Sequence, residues 1–159
     1  MEIMNTKRDT SGKVYDKMDS LCLRFLAYDR NCPAKYRKSL WEPMWSWLCQ
    51  SQACAEMAYL EPDNAEKYKL VSDARKYFRV FKRYEIRCDS TGEFRFGQAF
   101  AIDMVDYMRG IEDELNRWMV KLKKTVEKEK QEEFARRLAY YQEVSRGVAA
   151  ASPSAPDIF

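Results

Sequence analysis

The sequence predicts an all-α fold, an antiparallel up-down-up-down four-helix bundle with a C-terminal helical extension and a disordered tail. Apolar residues recur with a helical period in four blocks, short breaks separate the blocks, and no long window shows the two-residue alternation of a strand. The chain has 159 residues, of which 46% are hydrophobic, so it can bury one core. Helices of about 20 to 27 residues joined by short breaks pack as antiparallel neighbours.

The first block begins at a cap formed by Thr10 or Ser11 and ends at Asp29. A break at residues 31–33 precedes the second block, in which Pro43 is the unusual residue. Because proline removes a helical donor and clashes with the preceding turn, residues 39–43 should hold either a kink or a restart of the helix with Pro43 near its first turn, and we prefer the restart. The inward positions of these two blocks are Val14, Met18, Leu21, Phe25, Tyr28, Tyr36, Leu40, Met44, Trp47, Leu48, Ser51, Cys54, Ala55 and Ala58.

The third block follows a turn over residues 61–64 that ends in a helix cap. Residues 89–97 contain serine, threonine and two glycines, which indicates a break before the fourth and longest block. The inward positions predicted for these two blocks are Val71, Ala74, Phe78 and Phe81, then Ala101, Met104, Met108, Ile111, Leu115, Trp118 and Leu122. The second group has alternating spacings of three and four, which is typical of a helix packed in a bundle.

We expect four parts in the chain: a flexible N-terminus at 1–9, the bundle at 10–124, a charged helical extension at 125–146 and a disordered tail at 147–159. The extension is rich in charge, and Phe134, Leu138 and Tyr141 recur on it one turn apart, so it is either exposed or a docking segment. From Glu127 to Arg146 it has five basic and five acidic residues, which argues against a second polyanion site there.

The third block carries a basic face. Placed every 100° around a helix, seven cations fall within about 140° of arc, whereas Glu66, Asp73 and Glu85 lie outside it. Several of the cations follow one another at four-residue spacing, where like charges repel, so the face should bind an anion, and nucleic acid is our preferred ligand. The candidate contacts are Lys69, Arg75, Lys76, Arg79, Lys82, Arg83 and Arg87, with Lys35, Arg37 and Lys38 extending the surface.

The same residues predict no catalytic site, no metal and no cofactor. The chain has no histidine, and its five cysteines lack a zinc-ligand spacing, so we expect reduced core thiols and a cytoplasmic protein without a membrane segment. The carboxylates of the fourth block are expected to be solvated: Asp103, Asp106, Glu112, Asp113 and Glu114. Trp41 and Trp45 lie off the apolar stripe of the second block and are candidates for an oligomer interface.

Together these features resemble the accessory variability determinant of diversity-generating retroelements, a four-helix family related to the proteins encoded in intervening sequences of 23S ribosomal RNA genes. The resemblance covers about Lys13 to Lys124 and is carried by helix lengths, breaks and charge placement. Its residues are Val14 to Met18 in the opening helix, Pro33 with the basic residues after it, Arg75 to Arg79, and Leu115, Trp118 and Leu122.

The resemblance implies a non-enzymatic protein that assembles as a homopentameric ring. It also implies that the chain binds template RNA and a reverse transcriptase to support mutagenic cDNA synthesis, with the basic positions of the third helix and Lys35, Arg37 and Lys38 as contacts. The residues themselves leave one alternative open. The basic face could instead dock an acidic protein, which would make the chain a helical protein–protein interaction module with no nucleic-acid binding.

Overall fold

The computed structural model describes residues 10–94 and 98–151, and it describes the side-chain environment of residues 14–94 and 104–148. The predicted flexible segment at 1–9 and the last part of the predicted tail, 152–159, lie outside these ranges. The described residues form four α-helices and no strand, which confirms the all-α class. The helices are α1 Thr10–Ala27, α2 Glu42–Leu60, α3 Asn64–Ser90 and α4 Gln98–Ala151.

The connection between α1 and α2 is itself helical. It contains two 3₁₀ turns, Asp29–Asn31 and Ala34–Tyr36, and a π-helical turn, Arg37–Trp41. Pro43 lies in the first turn of α2, as predicted, because the backbone donors of a first turn have no intrahelical partner to lose.

The boundaries of α3 follow from its capping residues. The Asp63 carboxylate accepts a hydrogen bond from the backbone N–H of Glu66 at 3.0 Å, which satisfies one free donor of the first turn. At the other end, Gly92 has a φ of 68°, a left-handed conformation that suits glycine. Both the cap and the break after the third block are therefore confirmed.

One core joins the helices of the first compact unit, Met1–Leu122. It includes every predicted inward position of α4 within the described side chains, namely Met104, Met108, Ile111, Leu115, Trp118 and Leu122, whereas Ala101 lies outside them. The inward residues predicted for α3 are all buried as well: Val71, Ala74, Phe78 and Phe81. Rings of Phe25 and Phe81 meet edge to face at 5.3 Å and connect α1 to α3.

Polar and aromatic contacts show how the helices are aligned. Between α2 and α3, Ser51 Oγ donates to the carbonyl of Ala74 at 2.6 Å, and Trp47 lies against Tyr77 with ring centroids 5.5 Å apart. Residue numbers therefore rise along α2 as they fall along α3. The same relation holds between α1 and α4, where Lys17 binds Glu114 and the Arg24 guanidinium lies 4.6 Å from the ring centre of Tyr107.

The second compact unit is Lys123–Phe159, in which the described residues through Ala151 are the C-terminal part of α4. The helix includes Gly147–Ala151, which we expected to belong to a disordered tail. Three consecutive alanines explain the difference, since alanine is the strongest helix former and one exposed glycine costs only about 1 kcal/mol. None of the described helices is both long and apolar enough to cross a membrane.

Replacing the α3 cap should lower stability by a predictable amount. Asp63→Ala removes the acceptor for the N–H of Glu66, so we expect the free energy of unfolding to fall by about 1 kcal/mol in urea denaturation. The control is Asp63→Asn, which keeps an acceptor oxygen at the same place and should lose only a few tenths of that. Equal losses in the two variants would show that the cap does not stabilise α3.

Candidate functional site

The seven basic residues predicted on the third block all lie on α3, and most of them face away from its buried residues. Arg75 and Lys82 are half-buried, and the other five, Lys69, Lys76, Arg79, Arg83 and Arg87, are exposed. The orientation follows from the fold, because burying Phe78 and Phe81 forces the remaining face of the helix outward. These seven residues together form the basic surface of α3.

Glu112 of α4 reaches this surface and binds two of its cations. Arg79 Nε donates to Glu112 Oε2 at 3.0 Å, and Lys82 Nζ binds the other carboxylate oxygen. The Glu112 side chain is only 18% exposed. Burial acts to raise the pKa of this carboxyl, but the hydrogen bonds from Lys82 and Arg79 outweigh it, so its pKa lies below the usual value.

The predicted solvation of residues 112–114 was therefore wrong for two of the three. Only Asp113 is exposed, whereas Glu114 is 3% exposed and binds Lys17. Glu114 follows Ile111 by three residues, so it borders the apolar seam and turns toward α1, where Lys17 supplies the compensating charge. Its Oε1 has no hydrogen-bond partner among the described residues.

Two further cations of the basic surface have carboxylate neighbours on α3 itself. Lys69 binds Glu66 at 3.2 Å, and Lys76 lies 3.6 Å from Asp73, both at i, i+3 spacing. With Arg79 and Lys82, four of the seven cations thus have a carboxylate partner. The expectation that this face has no carboxylate was therefore wrong for these four cations. Lys69 and Lys76 are long enough to reach acidic residues three positions earlier on α3, and Glu112 comes from α4.

Three arginines complete the surface and have no carboxylate within ion-pair distance among the described residues. Arg75 Nη1 donates to the neutral amide oxygen of Asn116 at 2.9 Å. The Arg87 guanidinium lies 4.8 Å from the ring centre of Tyr84, a cation–π contact that restricts its side chain. Arg83 is exposed between them.

The basic residues after Pro33 differ in how firmly they are held. Arg37 uses Nη1 to bind Asp29 Oδ1 and Nη2 to bind the Asp29 carbonyl, both at 2.9 Å. The hydrogen bond from Arg37 lowers the pKa of the Asp29 carboxyl below its usual value. Lys35 pairs with Glu93 at 2.9 Å but is 63% exposed, and Lys38 is exposed without an ion pair among the described residues.

Trp41, which the sequence placed among candidates for an oligomer interface, is buried instead. Its indole N–H donates to Asp29 Oδ1 at 2.8 Å, and its ring stacks on Phe94 with centroids 6.1 Å apart. Trp41 precedes the buried Met44 by three residues and the buried Leu48 by seven, so regular helical spacing places it on the same inward face. Trp45 is half-buried and packs against the same core.

Four of the five cysteines lie in or beside the core: Cys22, Cys32, Cys54 and Cys88. Burial raises the pKa of Cys22 and of Cys88 to about 12, so both thiols are protonated at neutral pH and are poor nucleophiles. Over the described residues, no group of three or more cysteine and acidic side chains could hold a metal ion. Asp106 is exposed, and the side chain of Asp103 lies outside the described ones.

No family model matches the chain, nor does any curated protein or any solved structure. Its function must therefore be inferred from the contacts described above.

Glu112 should make part of the stability pH-dependent. A carboxyl whose pKa is lowered by folding stabilises the protein above its ordinary value of 4.5, and the contribution is lost as pH falls through the lower folded value. Glu112→Gln should therefore cost on the order of 1 kcal/mol in urea unfolding at pH 7 and less at pH 3.

The matched control is Asp113→Asn, an exposed position that should change stability little at either pH. A Glu112→Gln penalty of the same size at both pH values would contradict the role given to the ion pairs.

Proposed function

We propose that this chain is a non-enzymatic accessory protein of a diversity-generating retroelement, which binds template RNA and a reverse transcriptase to support mutagenic cDNA synthesis. The observation that carries the RNA-binding part is the row of Arg75, Arg83 and Arg87, three guanidinium groups on one side of α3 without carboxylate partners among the described residues.

The strongest part of this surface is the pair Arg83 and Arg87. They lie one turn apart, where like charges repel each other, so an anion bound between them would remove an unfavourable interaction. A guanidinium group presents a planar set of donors that fits phosphate oxygens in a bidentate way. Arg87 is already ordered against Tyr84, which lowers the entropy lost on binding.

The ion-paired cations can still contribute to phosphate binding. The pairs Lys69–Glu66 and Lys76–Asp73 are exposed, and such pairs are worth about 0 to 1 kcal/mol, so a phosphate can replace the carboxylate. Arg79 uses only Nε for Glu112 and is 50% exposed, which leaves its other donors for a second acceptor. Lys82 differs, because it is half-buried and held by Glu112.

Among the residues after Pro33, Lys35 and Lys38 fit an extension of the RNA surface. Arg37 fits a structural role instead, because Asp29 engages both of its terminal nitrogens. No element of this surface is built to read base edges selectively, so we propose that binding depends on phosphate charge and shape rather than on sequence.

The proposed oligomeric state comes from the family resemblance. We propose that α1 to α4 form an up-down-up-down bundle, which the opposite residue order across the helix contacts supports, and that five copies of it form a ring in the cytoplasm. The reverse transcriptase would bind the assembled ring.

Removing two guanidinium groups that have no carboxylate partner among the described residues should change the salt dependence of RNA binding. For Arg83→Gln with Arg87→Gln, we expect the slope of log affinity against log salt to become less steep by about 1.4, since each lost phosphate contact on a single strand removes about 0.7. Fluorescence anisotropy of a labelled single-stranded RNA across a salt series measures this slope.

The matched control is Lys128→Gln with Lys130→Gln, which removes the same charge from the C-terminal part of α4 and should leave the slope unchanged. If the two double variants have the same slope, RNA does not bind at Arg83 and Arg87. If the wild-type chain shows no salt-dependent RNA binding, the function is instead that of a helical module whose basic surface docks an acidic protein.

A further inference from the structure

The outer face of α1 and α2 exposes apolar side chains beside a cavity. Leu23 and Leu26 of α1 are 62% and 54% exposed. Leu26 lines a cavity of about 120 Å³ together with Trp41 and the half-buried Trp45 of α2. A cavity of this size holds one side chain or a small ring. Protein interfaces commonly seat an anchor side chain in such a pocket, so this face has the form of a protein-binding site.

Carboxylates surround these apolar side chains. The sequence of α2 contains no lysine or arginine. Gln52 of α2 donates to Asp19 of α1 at 3.2 Å, which places Asp19 on the same face. The charge there raises the pKa of the Tyr15 hydroxyl, with Glu56 as the largest cause. The exposed acidic side chains of the face are Asp16, Asp19, Glu42 and Glu56, and none of them has an ion pair among the described residues. A partner of this face must therefore supply positive charge.

The cavity itself combines apolar walls with acidic groups. Its aromatic walls are Trp41 and Trp45, and Asp29 and Glu42 line it as well. Arg37 is a further lining residue, but both of its terminal nitrogens bind Asp29. A lysine or arginine side chain suits such a site, because its methylene groups pack on the aromatic walls while its charged end meets the exposed carboxylate of Glu42.

We propose that the outer face of α1 and α2 is a docking site for a basic amphipathic helix of a partner protein. The apolar side of the partner helix packs on Leu23 and Leu26, one of its basic side chains enters the cavity, and others face Asp19 and Glu56. From Tyr15 to Leu26 the face extends about 16 Å along α1, which is three turns of a helix. The proposal concerns helices other than α3, so it does not depend on RNA binding.

A designed peptide tests the site on the full chain. The probe is a labelled peptide of about 18 residues, with leucine along one side of its helix and lysine along the other. Fluorescence anisotropy measures its affinity. For Asp19→Asn with Glu56→Gln, we expect the affinity to fall by about tenfold, because two carboxylates no longer attract the lysines. Circular dichroism should show unchanged helix content.

The matched control is Asp106→Asn with Asp113→Asn, which removes the same charge from two exposed positions of α4. It should leave the affinity unchanged. A second peptide, with glutamate in place of every lysine, should not bind the wild-type chain. The proposal is wrong if the wild-type chain does not bind the lysine peptide, if it binds the glutamate peptide equally well, or if the two double variants lose affinity equally.

The variant Leu26→Gln separates a partner helix from a second copy of the chain. It removes apolar contact area at the cavity and should weaken binding of the lysine peptide about tenfold, whereas Leu138→Gln on the C-terminal part of α4 should not. The mass measured by light scattering should stay at the wild-type value for Leu26→Gln. A lower mass would show that the face joins copies of this chain, and it would overturn the proposed partner.

Discussion

The position of the basic surface depends on the burial of one face of α3. Phe78 and Phe81 are fully buried, and each buried side chain of this size contributes about 1.5 to 3 kcal/mol. The contact of Phe81 with Phe25 fixes the rotation of α3 against α1. Since a helix is rigid about its axis, that rotation also decides where Arg83 and Arg87 point.

Residues whose environment is set by their own helix could be predicted from the sequence. The seam of α4 and the inward face of α3 were found because apolar spacing reports directly which side of a helix is buried. Asp63 and Pro43 were placed correctly because capping and proline chemistry act within one turn.

Residues whose environment depends on another element were missed. Glu114 is buried because Lys17 of α1 compensates its charge, and nothing near Glu114 in the sequence signals that partner. Trp41 also contacts Asp29 and Phe94, which lie outside its own helix and have no signal near Trp41 in the sequence. The same limit applies to Glu112, whose two cations lie 30 and 33 residues away in the sequence.

The basic residues of α3 looked equivalent in the sequence, but Glu112 divides them into cations that hold the fold together and cations that remain accessible to a ligand. Lys82 is half-buried beside it, so its charge is used to hold α3 against α4 and little of it faces solvent. Arg83 and Arg87 have no comparable partner among the described residues, and their charge remains accessible to a polyanion. A cation that stabilises the fold cannot also be released to a ligand without loss of stability. The number of cations on a helix therefore overstates its binding surface, and the carboxylates contributed by neighbouring helices determine which of them can bind.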